Sequence, residues 1–341
     1  MIPCLLILSQ NKSAACWGFR AIGMGGIFTA VADDANAAYW NRAGLAQFDN
    51  WENGQSQIIL TNHVVDNMYG LFTRKERLGN AYYDSFHYAM KINKNYGWSL
   101  SGEWSGGGAF ALSPSFAFRL PWNRKMSIGI GYFLFRTEGY VQDIFGKTIR
   151  IDSIQHQIHV DYLWRIVPEW SFGIHGENFW ALPGTLTSPD IAGEVPLPGG
   201  LLTKINVRPA IAWMPSGRLK GLIVNAGLYD LLGKYGGPYY SFGFEYTPQK
   251  ALARVYSRAK RKWRTVLKET FLSRSSFRMG AYNLAGSYTA TNQNAAINSA
   301  ITWGYGYKIN DRLEIGYFGA YWIDPVMLGV MNHSMGLAYK F

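Results

Sequence analysis

Residues 18 to 46 read GFRAIGMGGIFTAVADDANAAYWNRAGLA, and they follow neither the two-residue period of a strand nor the 3.6-residue period of a helix. Small residues (Gly23, Gly25, Gly26, Ala30, Ala32) surround single bulky ones (Phe28, Tyr39, Trp40), and Asp33, Asp34, Asn36 and Asn41 fall within nine positions. The glycines permit tight backbone conformations. Asp33 or Asp34 is expected to cap a short helix from Ala35 to about Trp40, and Gly44 to end the next turn. The stretch reads as a compact plug, and a plug needs a wall.

The rest of the chain supplies one. Segments of about ten residues alternate apolar and polar positions, the length a tilted barrel strand needs to cross a hydrocarbon layer. In 297 to 308, Ile297, Ile301, Trp303, Tyr305 and Tyr307 share one face, while Asn298, Ala300, Thr302, Gly304 and Gly306 share the other. The same alternation runs through 205 to 213 and 240 to 246. Short connections (93 to 95, 122 to 123, 167 to 169, 214 to 218, 310 to 311) take turns with longer ones (136 to 150, 177 to 203, 284 to 296, 323 to 332), as in barrels with short turns at one end and long loops at the other. Fifteen segments fit the pattern. A single-chain bacterial barrel has an even number, so one segment in the crowded region before 82, where 55 to 64 and 66 to 74 nearly touch, is surplus. The expected fold is an all-β, transmembrane antiparallel barrel of about fourteen strands, with an N-terminal hatch in its lumen.

Composition agrees. Apolar residues are 48% of the 341, yet no run approaches the length of a membrane helix. Aromatics at 16% and 38 glycines fit interfacial girdles and a small-residue lining, and charged residues at 16% lie below the level usual in soluble domains.

Over most of residues 20 to 46 the opening stretch resembles the N-terminal hatch of FadL/PorV-type outer-membrane barrels. The matching positions are Arg20, Gly23-Met24-Gly25-Gly26, Phe28, Ala30, Ala32-Asp33-Asp34-Ala35, Ala37, Tyr39-Trp40-Asn41 and Ala43-Gly44-Leu45-Ala46. Arg42 departs, standing where the family has proline in an asparagine-proline-alanine turn. The resemblance implies fourteen strands and an outer-membrane location with both termini periplasmic. It places Phe28, Asp33, Asp34, Tyr39, Trp40, Asn41, Arg42 and Gly44 along the hatch and the ligand path. Its FadL-type branch implies passive transport of fatty-acid-like hydrophobic molecules. Its PorV-type branch implies an accessory role in protein secretion, with a secretion-system protein as partner.

Three further segments stand out. Residues 1 to 15 read as the back half of a signal peptide, an apolar core at Ile2 to Leu8 followed by small Ser13 to Ala15, so the hatch spans 16 to 50 and the barrel 51 to 341. At the other end Met335, Leu337, Tyr339 and Phe341 share a face, and Tyr339 and Phe341 resemble the signal by which barrel-assembly machinery recognises its clients. Residues 249 to 274 carry nine basic side chains against the single acid Glu269. Leu252, Val255, Tyr256, Trp263, Val266 and Leu267 recur there at helical spacing, which predicts a basic amphipathic helix inserted in a short-turn position. Such a helix would lie on outer-membrane lipid through Arg254, Arg258, Arg261, Lys262, Trp263 and Lys268, or dock on an acidic partner. Nucleic acid is not expected in that compartment.

Catalytic and metal patterns are thin. His156 and His159 are three apart in a strand and point to opposite faces, the glycines of 23 to 26 lack a dinucleotide-site spacing, and there is no nucleophile elbow. No enzyme, metal or cofactor is expected. Pro114 and Pro209 sit inside strands, where each removes a ladder donor and marks either a bulge or a lateral opening in the wall.

Overall fold

The computed structural model describes residues 18–66, 81–105, 110–142, 148–188, 191–196, 205–232, 237–257, 262–285, 299–323 and 331–341. The signal-peptide segment lies outside them. Two short helices, α1 (Phe19–Gly23) and α2 (Ala37–Trp40), and a 3-10 turn over Arg42–Gln47 make up the opening stretch. The strands are β1 (Ser56–Asp66), β2 (Ala81–Lys91), β3 (Tyr96–Ser105), β4 (Phe110–Leu120), β5 (Asn123–Gln142), β6 (Thr148–Val167), β7 (Trp170–Ser188), β8 (Ile191–Pro196), β9 (Asn206–Trp213), β10 (Leu222–Tyr229), β11 (Tyr239–Tyr246), β12 (Ala251–Ser257), β13 (Lys262–Lys268), β14 (Ser275–Ala285), β15 (Ala300–Lys308), β16 (Leu313–Trp322) and β17 (Met331–Lys340).

Fourteen of these strands close into one antiparallel ring: β1 to β7, then β9, β10, β11, β14, β15, β16 and β17, which returns to β1. The fifteenth strand of that sheet, β8, pairs only with β7. β1 pairs directly with β2, and of the candidate segment at 66 to 74 the residues 67 to 74 lie outside the described ones. β17 has neighbours on both sides, and the Phe341 amide donates to the Ser56 carbonyl at 2.9 Å.

The two-residue period sorts each strand as expected. In β11, Tyr240, Phe242, Phe244 and Tyr246 are exposed outward, whereas Ser241, Gly243 and Glu245 are buried against the hatch. An outer face this apolar is favourable only against hydrocarbon. Among the described residues the buried hydrophobic cluster is centred inside the ring on the hatch, with Phe19, Ile22, Met24, Phe28, Trp40 and Leu45 at its heart.

Two expectations are corrected. The segments 136 to 150 and 177 to 203 are largely strand, because β5, β6 and β7 run on for 19 to 20 residues. Pairing there extends beyond the hydrocarbon thickness, where no lipid face imposes a strict alternation. The basic insertion is a hairpin and not a helix: β12 and β13 pair with each other in a separate two-stranded sheet, with Leu252 opposite Leu267 and Tyr256 opposite Trp263. Apolar residues brought opposite one another by a fold-back mimic helical spacing along the sequence, and the Val, Tyr, Trp and Thr content favours strand. Arg254, Lys262, Trp263 and Lys268 lie on these strands, while Arg258 and Arg261 lie outside the described residues.

In a lipid or detergent environment the purified chain should give a β-dominated circular dichroism spectrum and migrate faster on gels before boiling than after. A mainly helical spectrum would contradict the ring.

Candidate functional site

The hatch has too little regular structure to satisfy its own buried backbone, and a buried carbonyl without a partner is costly. The wall supplies the partners. Arg165 donates to the carbonyls of Ala30 (3.2 Å) and Val31 (2.6 Å), and Ser171 also donates to Ala30 (2.6 Å). Lys91 donates to the carbonyls of Phe48 (2.8 Å) and Trp51 (2.6 Å), and Arg119 to that of Ala46 (2.8 Å). Wall glycines let the backbones meet: a Cβ on Gly243 would overlap the Met24 carbonyl, and one on Gly173 the Thr29 carbonyl.

Two arginines clamp the hatch. Arg20 forks onto Glu245 of β11 (2.8 and 2.9 Å) and also reaches Asp33 (2.6 Å) and Asp34 (2.7 Å). Arg278 of β14 shares that carboxylate, donating to Glu245 Oε2 at 2.6 Å. Burial pulls the Arg20 guanidinium down, but the three carboxylates outweigh it and hold it well above its ordinary value. For Asp34 burial outweighs the pull of Arg20 and raises the carboxyl. Asp33 and Asp34 are therefore ion-pair partners first. Neither caps the helix: Asp34 accepts from the Asn36 amide at 2.8 Å, but the helix begins at Ala37 rather than Ala35, with Asn36 at its N-cap and no side-chain cap bond.

Arg42 is the second clamp. Asn41 caps the 3-10 turn by accepting from the Ala43 amide (3.0 Å), so Arg42 occupies the first position of the turn, where proline is at home. Arginine adds what proline cannot. Its backbone N–H donates to Asp161 of β6 at 2.8 Å, and its fully buried guanidinium reaches Asp161 (3.2 Å), Ser115 (3.0 Å) and Ser113 (3.2 Å). Asp161 also binds the Nδ1 of His175 at 2.6 Å, and the Nε2 of His175 lies 3.5 Å from Glu177, which pairs with Arg208. A chain of linked polar and ionic side chains thus runs along the inner wall from Arg42 to Arg208. As expected from their spacing, His156 meets Tyr132 on the outside and His159 is buried inside, its ring 5.5 Å from that of His175.

Other hatch residues fill space. Phe28 is fully buried under Arg20 (5.1 Å), and Tyr39 meets Trp40 edge to face at 5.5 Å. Gly44 does not end a turn: it lies inside Arg42–Gln47, and a Cβ there would overlap the Ala32 carbonyl.

Around the ring, β7, β9 and β10 separate the strand that holds Arg42 from the strand that holds Arg20. Within that interval the β9–β10 ladder runs only from Val224 opposite Trp213 to Gly227 opposite Ala210, and contact resumes where the Leu231 amide donates to Val207 at 3.0 Å. Pro209, which has no N–H, sits in the interruption. Behind it is a small, partly open recess lined by Ile27, Thr29 and Trp40 of the hatch and by Arg208, Tyr229 and Tyr282 of the wall, among others. Arg208 stacks over Tyr229 at 4.1 Å, and its Nε has no hydrogen-bond partner among the described residues. Pro114 differs. Only Ser113 and Pro114 drop out of the β4–β5 ladder, register is kept on either side, and Arg42 fills the space behind through its bond to Ser113.

No family model matches the sequence, and no curated protein sequence does either. Solved structures do match the fold. A FadL homologue of Pseudomonas aeruginosa aligns over 96% of this chain and 97% of its own, with a TM-score of 0.54 and 14% identity. The toluene transporter TbuX of Ralstonia pickettii aligns over 95% and 97%, at 0.53 and 12%. The deltaS2 mutant of the monoaromatic hydrocarbon channel TodX aligns over 96% and 99%, at 0.56 and 12%. At these identities the likeness is one of architecture.

Two outcomes test the site. Arg42→Leu takes the guanidinium from the buried Asp161 and should cost about 3–5 kcal/mol in urea unfolding. Stability indistinguishable from that of the parent chain would remove Arg42 as a clamp. Deleting residues 23 to 44 should raise single-channel conductance in planar bilayers, because a ring of this size is otherwise wide enough to conduct. Unchanged conductance would mean that the hatch does not close the lumen.

Proposed function

We propose that this protein is a passive outer-membrane channel for hydrophobic small molecules, with its short turns toward the periplasm and a sideways exit between β9 and β10 at Pro209. The observation that carries the reading is the recess behind the interrupted ladder. An apolar ligand gains nothing from a polar lumen, but at this recess it meets Ile27, Trp40, Tyr229 and Tyr282 on one side and a wall with fewer hydrogen bonds on the other. The exit needs only local separation of two strands. The hatch forms the floor that turns the ligand outward, and the clamps at Arg20 and Arg42 hold that floor on both sides of the seam. The shared architecture with the toluene transporter and the hydrocarbon channel supports the reading.

Replacing Pro209 with valine supplies the missing N–H. One added ladder bond contributes about 1 kcal/mol, so the seam should open about fivefold less often. Uptake of labelled toluene or oleate by cells expressing Pro209→Val should fall by a similar factor, while Pro114→Val leaves it unchanged. Equal uptake by wild type and Pro209→Val, with both folded by the gel criterion, would count against exit at this seam.

A further inference from the structure

The mouth of the barrel at its short-turn end carries a feature that ligand passage does not use. Lys94, Arg124, Arg218, Lys220, Lys308 and Arg312 are exposed on four of the turns there, and among the described residues none lies within ion-pair distance of a carboxylate. Large apolar side chains stand exposed among them: Trp122 (78%), Phe271 (63%) and Leu272 (55%). A rim facing only water would not hold such residues exposed between cations. Aromatic and cationic side chains mix at the level of lipid headgroups.

The basic hairpin leaves from the same end. Its single acid is already engaged at its neck, where Glu269 accepts from Lys250 (2.6 Å) and from Arg274 (2.7 and 3.1 Å). Lys250 and then Arg274 hold that carboxyl at about 2, so it stays charged at physiological pH. The positive charge of 251 to 268 is then left uncompensated by the segment itself. An isolated two-stranded hairpin is marginal in water, and among the described residues this one pairs with no third strand. Leu252 and Tyr256 are four apart on one strand, and their partners Leu267 and Trp263 are four apart on the other, so they share one face of the hairpin.

We propose that the short-turn rim and the β12–β13 hairpin together form a seat for anionic phospholipid headgroups, with the hairpin lying on the leaflet that surrounds the barrel mouth. The cations meet lipid phosphates, the exposed aromatics enter the interface, and the hairpin gains the surface it lacks. This does not rest on the transport reading, and either can fail alone.

The test uses the full chain in nanodiscs of phosphatidylcholine with or without phosphatidylglycerol. Amide hydrogen exchange across 250 to 268 should slow at least ~tenfold with the anionic lipid, and the protection should vanish near ~1 M salt, where screening acts within about 3 Å. Equal exchange in both discs overturns the proposal. The combined variant Lys94→Gln, Arg124→Gln, Lys220→Gln and Arg312→Gln should still migrate as a folded barrel but retain at least ~tenfold less phosphatidylglycerol in native mass spectrometry, each charge contributing about fivefold. Undiminished retention also overturns it. So does protection of the hairpin by soluble polyglutamate that exceeds protection by the lipid, which would point to an acidic protein instead.

Discussion

A buried segment without regular secondary structure must find its hydrogen-bond partners elsewhere, and that constraint shapes the interior of this barrel. The carbonyls of Ala30, Val31, Ala46, Phe48 and Trp51 are all met by wall side chains. The inner face therefore cannot be generic. It needs cations and hydroxyls at set registers and glycines where the backbones touch, so hatch and wall specify each other. Removing either would leave unsatisfied groups on the other.

The arginine clamps play a different part. Buried ion pairs contribute little net stability against a well-packed apolar alternative, but they penalise misplacement heavily, because a shifted partner leaves a bare buried charge. Arg20 and Arg42 thus fix where the hatch sits more than how tightly it is held. By gripping it on either side of the β9–β10 interval, they leave one sector of the wall where hatch and strands do not fill the space between them.

Much of this was legible in the sequence. Alternation revealed most strands and their faces, since a one-residue slip would turn an apolar face inward, while the count of fourteen needed the even-number rule to discard one of fifteen segments. The hatch was marked by its lack of any period. What stayed hidden depended on register. Asp161, Arg165, His175 and Glu177 occupy inward positions of their strands, and the parity of Gln157, His159, Asp161 and Arg165 was a signal that could have flagged them. Which hatch atom each would meet is set only by the stagger of the closed ring. The hairpin was misread because two seven-residue strands give too short a window to separate the two periods.

The ring is sealed by β1 against β17, the pair most distant in sequence, while the hatch inside precedes both. Synthesis therefore delivers the filling before any of its container, and the container cannot shut until its final staves arrive. Until then the hatch carbonyls and two strand edges stand open together. Such long-range closure is intrinsically slow and exposes sticky edges in the meantime.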